Sequence, residues 1–164
     1  MADFNLYFSI ENNLEGVVYE TPNGNPTKFG LQVSDVSEYY GYTCVANDVK
    51  NMTASEAALI LKKLYWDYFQ GDNITNQLLA EFIVDSGLLN GKQFIAIAIQ
   101  ELIGGLVADG LIGTKSIAAI NSYSVIDLYN RLYGYRYHRF DQLKATYTQD
   151  YAGWINRLNA IKVE

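Results

Sequence analysis

Apolar residues recur along most of this chain at the three- and four-residue spacing of an amphipathic helix. Phe4, Tyr7, Phe8 and Glu11 fit a short helix that brings the chain to Leu14-Glu15-Gly16. Ala57, Ile60, Leu61, Leu64, Tyr65 and Tyr68 form one apolar face through about Phe69. Thr53 and Glu56 open that helix as a capping box, each side chain able to bond the other's backbone N–H. Leu78, Leu79, Phe82 and Ile83 mark the next helix, which runs to Gly87. Gln93 to Ile103 is apolar nearly all round, the pattern of a central, buried helix. Thr114 can cap a short helix over Lys115–Ile120, and Ser124 a long one carrying Ile126, Tyr129, Leu132 and Tyr133. Trp154, Ile155, Leu158 and Ile161 define a last amphipathic helix.

One stretch breaks the helical rhythm. Residues 16–30 hold Gly16, Pro22, Gly24, Pro26 and Gly30, a density of turn-forming residues that predicts irregular backbone or a small β-hairpin. The expected fold is therefore mainly α, a helical bundle with a small irregular or β element near residues 17–32. There is no internal repeat, low-complexity tract or proline-rich linker.

Charge changes the picture more than composition does. The net charge of −6 is unevenly spread: residues 1–130 hold 15 acids and six lysines, residues 131–164 three acids and six bases, including all four arginines. So acidic a chain has no global grip on nucleic acid, although a local anionic contact near its C-terminus stays open. Cys44 is the single cysteine and forms no internal disulfide. No run approaches the roughly 18 apolar residues of a membrane span. The opening residues, Met1-Ala2-Asp3-Phe4-Asn5, lack the basic and apolar regions of a Sec signal, so synthesis in the cytoplasm is expected.

Candidate chemistry narrows to carboxylates. One Cys and one His cannot make a Cys/His metal cluster, and Asp109-Gly110 lacks the alternating acids of a calcium loop, so neither metal nor cofactor is expected. Gly104-Gly105 and Gly110-x-x-Gly113 have no preceding strand and no following Lys-Ser/Thr, so they are not a phosphate loop. His138 lies in a Tyr/Arg-rich helix and reads as a surface or packing residue. Glu15 stands where a helix ends and a glycine-rich turn begins, a rigid support from which a side chain can project. Glycoside hydrolysis needs a carboxylic acid to protonate the leaving oxygen, its pKa raised by partly apolar surroundings such as Tyr19 and Phe29. A solvated or helix-capping glutamate is the alternative.

Leu14-Glu15-Gly16-x-x-Tyr19 followed by Gly24-x-x-Thr27-Lys28-Phe29-Gly30-Leu31 resembles the signature of family 108 glycoside hydrolases, lysozyme-like N-acetylmuramidases. Thr53-Ala54-Ser55-Glu56-Ala57 leading to Tyr65-Trp66, and Glu81-Phe82-Ile83-Val84-Asp85-Ser86-Gly87, are similar to further family segments. From residue 93, Ile99-Gln100, Asp109-Gly110-Leu111-Ile112-Gly113, Arg136 and Gly153-Trp154-Ile155-Asn156-Arg157 resemble the peptidoglycan-binding region that usually follows. The resemblance implies a muramidase region over 1–91 and a peptidoglycan-binding helical region over 92–164, packed as one compact unit. It further implies cleavage of the β-1,4 bond between N-acetylmuramic acid and N-acetylglucosamine at the cell wall after release or export, with glycan strands as the partner. No nucleic acid or membrane insertion is expected.

By the same resemblance Glu15 takes the general-acid position, and Tyr19, Phe29 and Gly30 stand beside the substrate. The family's Asp before Pro-Gly-Gly aligns near Pro22, which leaves the second catalytic group open. Glu20 is the nearest acid and can activate a water if the loop turns it inward. Thr27 can hold that water or satisfy the turn backbone. Glu81 and Asp85 occupy the family's Asp and Asn positions, four apart on one helix face, and either line the substrate site or stabilise a helix junction. Two carboxyls ~6.5–9.5 Å apart give inversion and ~5–5.5 Å a covalent intermediate. With no second carboxylate close to Glu15 in sequence, single displacement by water is expected. The rival expectation is a non-catalytic peptidoglycan-binding or secretion-accessory protein on the same scaffold.

Overall fold

The computed structural model describes residues 1–15, 18–20 and 25–160, the side chains of residues 10–15 excepted. Gly16, Pro22 and Gly24 lie outside the described residues. The chain divides into two compact units, Asp3–Asp72 and Asn73–Glu164, the latter including Met1 and Ala2.

The Asp3–Asp72 unit begins with α1 (Phe4–Glu15). Strands β1 (Tyr19–Glu20) and β2 (Pro26–Thr27) follow, antiparallel, with Tyr19 opposite Thr27 and Glu20 opposite Pro26. Of the two expectations, irregular backbone or a small β-hairpin, this is the second, with two residues a side. Helices α2 (Val33–Tyr40), α3 (Ala46–Asn51) and α4 (Ala54–Leu61) come next, and α4 runs on as a single π turn over Lys62–Trp66.

The predicted box opens α4: the Thr53 N–H donates to Glu56 at 2.8 Å and the Glu56 N–H to the Thr53 hydroxyl at 3.2 Å. The same reach-back recurs at α2, where Asp35 accepts from the Gln32 N–H at 2.7 Å, and at α3, where Asp48 accepts from the Val45 N–H at 2.7 Å. Neither helix is evident from periodicity, because eight and six residues are too short to repeat a face.

The core of this unit closes on Trp66, fully buried, with Phe4 and Tyr7 rings 5.7 and 5.8 Å away. Its indole N–H donates to Asp72 at 2.7 Å, which folds the chain back over the ring. Gly71 sits against the indole, where a Cβ would come within 2.3 Å of a ring carbon, so only glycine fits.

In the other unit α5 (Gln77–Asn90), α6 (Lys92–Ile103), α7 (Thr114–Ser122), α8 (Val125–Leu143) and α9 (Thr148–Ala160) form a helical bundle. The central helix is α5, not α6 as its apolar surround suggested. Every residue from Leu79 to Gly87 is buried, whereas α6 leaves Phe94 37% exposed. Helix α5 packs against both α6 and α8, and its polar Glu81, Asp85 and Ser86 face inward with the rest. Ser124 caps α8 as expected, accepting from the Asp127 N–H at 3.3 Å. Thr114 is instead the first helical residue of α7, and Gly113 holds the cap position.

Buried Gln100 accounts for the Asp109-Gly110 motif: its amide donates to Asp109 at 2.8 Å and to the Leu111 carbonyl at 3.1 Å, and accepts from the Gly110 N–H at 2.9 Å. The motif is thus braced from within. Among the described residues no helix is long and apolar enough to cross a membrane.

Candidate active site

Helix α1 delivers Glu15 as its last residue, so its backbone position is set by a twelve-residue support; its side chain lies outside the described residues. Four residues later β1 begins with Tyr19, half exposed at 52% and paired in register with Thr27. Thr27 is half-buried, and its hydroxyl makes no hydrogen bond to any described residue. Glu20 is exposed and forms an ion pair with Lys50 of α3. Such a solvent-shared pair is worth at most about 1 kcal/mol, so it orients the carboxylate without locking it.

Phe29 and Gly30 occupy a tight turn closed by paired backbone bonds, Lys28 N–H to the Leu31 carbonyl at 3.1 Å and Leu31 N–H to the Lys28 carbonyl at 2.9 Å. Both central residues have positive φ, +53° and +74°, the sign pattern of a type I′ turn. A bulky residue in that region is strained, and here its ring is 4% exposed, with the Phe8 ring 6.4 Å away. Burial of the ring offsets the strain. The Lys28 ammonium anchors the turn by donating to the carbonyls of Lys50 at 3.1 Å and Met52 at 2.8 Å, at the C-terminal end of α3 where cations are favoured. Phe29 is thus buried against α1 through Phe8, while Tyr19 and Glu20 are exposed.

Glu81 and Asp85 belong to α5 of the other unit, and their surroundings differ sharply. Glu81 is 3% exposed; one oxygen accepts from the Gln77 amide at 2.7 Å and the other has no partner among the described residues. Burial raises its pKa, opposed only by the Gln77 bond. Asp85 has no exposed surface and lies between two arginines, Arg157 at 2.7 Å and Arg136 at 2.9 Å. Burial alone would raise its pKa, but the two guanidinium groups outweigh it and hold the carboxyl below the usual range. Arg136 is itself sealed between the rings of Phe82, 5.1 Å away, and Phe140, 5.7 Å away. Of the two openings left by the sequence, this geometry matches the helix junction: Asp85 joins α5 to α8 and α9 and presents no atom to solvent.

The triad of Asp85, Arg136 and Arg157 escaped sequence reasoning, although one signal was present. Arg136 continues the buried face formed by Tyr129, Leu132 and Phe140, and a cation on a buried face calls for a buried acid. Asp85 interrupts the apolar run of α5 and is that acid. The hairpin set and the α5 pair lie in different units.

A mainly α, lysozyme-like chain whose first helix ends on a glutamate beside a short hairpin is arranged as a glycoside hydrolase of the lysozyme type. Residues 13–91, just under half of the chain, match the Glycosyl hydrolase 108 family, and this match supports a glycoside hydrolase with peptidoglycan as its substrate class. The structure of Brucella abortus SagA is similar over 96% of this chain and 90% of that one, with a TM-score of 0.83 at 23% identity, a likeness of fold. No curated protein sequence matches the chain significantly.

Proposed function

We propose that this glycoside hydrolase cleaves the β-1,4 bond between N-acetylmuramic acid and N-acetylglucosamine, with Glu15 as general acid and a water as nucleophile. The carrying observation is the local layout: α1 ends on Glu15, and β2 returns Thr27 opposite Tyr19 with its hydroxyl bonded to no described residue. A hydroxyl beside the general acid is suited to hold the attacking water. Buried Phe29 supplies the apolar surroundings that keep a general acid protonated, and Tyr19 offers a ring face to a sugar. Glu20, tethered to Lys50, is the second acceptor available to that water. Neither group is positioned by sequence as a nucleophile, which favours inversion by single displacement. The enzyme acts at the cell wall after release or export, and the C-terminal helices contribute contacts to the wall.

Clearing of purified murein tests this. Glu15→Gln should lower the rate by at least ~10²–10⁴-fold, the range of a lost general acid. Thr27→Ser should retain most activity and Thr27→Ala lose most of it. Equal clearing by wild type and Glu15→Gln would remove Glu15 from the acid role.

A further inference from the structure

The Asp3–Asp72 unit carries a recess of about 270 Å³ that shares no residue with the hairpin. Its floor is apolar and buried, made by Val36, Cys44, Met52 and Ile60. Its wall is a pair of tyrosines. Tyr40 ends α2, Gly41 turns the backbone at φ +73°, and Tyr42 emerges beside Tyr40 with ring centroids 5.6 Å apart and planes 27° from parallel. Both rings stay open to solvent, 41% and 62% exposed. Its rim holds Asp48, Asn51 and Glu56.

The rim acids are already half-committed. One Asp48 oxygen accepts from the Val45 N–H at the start of α3, and one Glu56 oxygen accepts from Thr53 at the start of α4. Each charge therefore sits on a helix N-terminus that partly neutralises it. The second oxygen of each bonds no described residue and remains an acceptor. Asn51 adds an exposed amide, which both donates and accepts.

We infer that this recess is a secondary glycan subsite that takes one neutral N-acetylhexosamine ring, stacked on Tyr42 and Tyr40 with its hydroxyls donating to the rim. Stacked aromatic faces suit the C–H face of a pyranose, and acceptors in a lining that includes no cationic side chain suit hydroxyl donors. A volume just under the ~300 Å³ lower bound of drug-sized pockets admits one ring, not an extended chain. The acidic rim disfavours the carboxylate of muramic acid, so the recess selects N-acetylglucosamine units of the strand. The inference rests on the glycan substrate proposed above, but not on the role of Glu15.

Titration of the isotopically labelled full chain, as Glu15→Gln, with N,N′-diacetylchitobiose tests it by NMR. Saturable shifts are expected at the amides of Tyr40, Tyr42 and Asn51. Tyr42→Ala on the same background should weaken binding read at Tyr40 and Asn51 by roughly fivefold or more, the scale of one lost stacking contact, and leave the response of Thr27 unchanged. Asn51→Ala, at an exposed position, should weaken it in the same direction. Silence over residues 36–60, or an unchanged affinity in both variants, overturns the subsite. So does tenfold tighter binding of the de-N-acetylated dimer, which would mark a site for cations. If wild type clears murein while these amides stay silent, the subsite alone fails. If the amides respond and wild type clears nothing, the proposed reaction fails and the subsite stands.

Discussion

In the Asp3–Asp72 unit the acids Asp35, Asp48 and Glu56 each reach three residues back along their own chain to close a helix start. In the Asn73–Glu164 unit Asp85 reaches Arg157, 72 residues away, and Arg136. The first arrangement uses exposed, local bonds worth about 0.5–2 kcal/mol each, which act independently. The second concentrates three charges where water cannot compensate the loss of any one. A unit of short helices tolerates local damage, whereas a bundle pinned through one buried carboxylate stands or falls with it.

The sharpest way to break this contrast is Asp85→Asn, which removes the buried carboxylate that Arg136 and Arg157 share. It should cost about 3–5 kcal/mol in denaturant unfolding. Because the folded pKa of Asp85 is lowered, its contribution is present above the ordinary carboxylate value and is lost as pH falls through the depressed one. The gap between variant and wild type should therefore narrow in acid. Next in size is Gly71→Ala in the other unit, where the added methyl meets the Trp66 indole; about 1–3 kcal/mol is expected. That loss should be independent of pH. The smallest effect has the opposite sign. Glu81→Gln removes a charge that burial disfavours and should raise stability at neutral pH by about 1 kcal/mol. Since the folded pKa of Glu81 is raised, the gain should fade as pH falls through that raised value toward 4.5, and be lost below it, where both folded and unfolded forms are neutral.

Legibility in the sequence follows the same division between local and distant partners. The Thr53–Glu56 box and the Ser124 cap were evident because their partners lie within a few residues. The glycines and prolines of residues 16–30 marked a break in the helices without choosing between irregular backbone and a hairpin. Helices α2 and α3 were not, since a six- or eight-residue helix never completes a periodic face. Burial of α5 was hidden because its polar residues are satisfied by partners far along the chain, which periodicity cannot register. At the candidate site, the position of Glu15 at a helix end was legible. That Glu20 answers to Lys50 and that Lys28 anchors the Phe29 turn depend on where α3 returns.

The burial of α5 constrains how such a protein can change by descent. The family-matched stretch ends at residue 91, yet α5 lies within it and is covered by helices drawn from the residues beyond. A recombination breakpoint at that border would uncover nine consecutive interior positions, Leu79 to Gly87, and leave Asp85 without either guanidinium. The two stretches are therefore expected to travel between genomes as one cassette, and homologous chains to lose or keep them together.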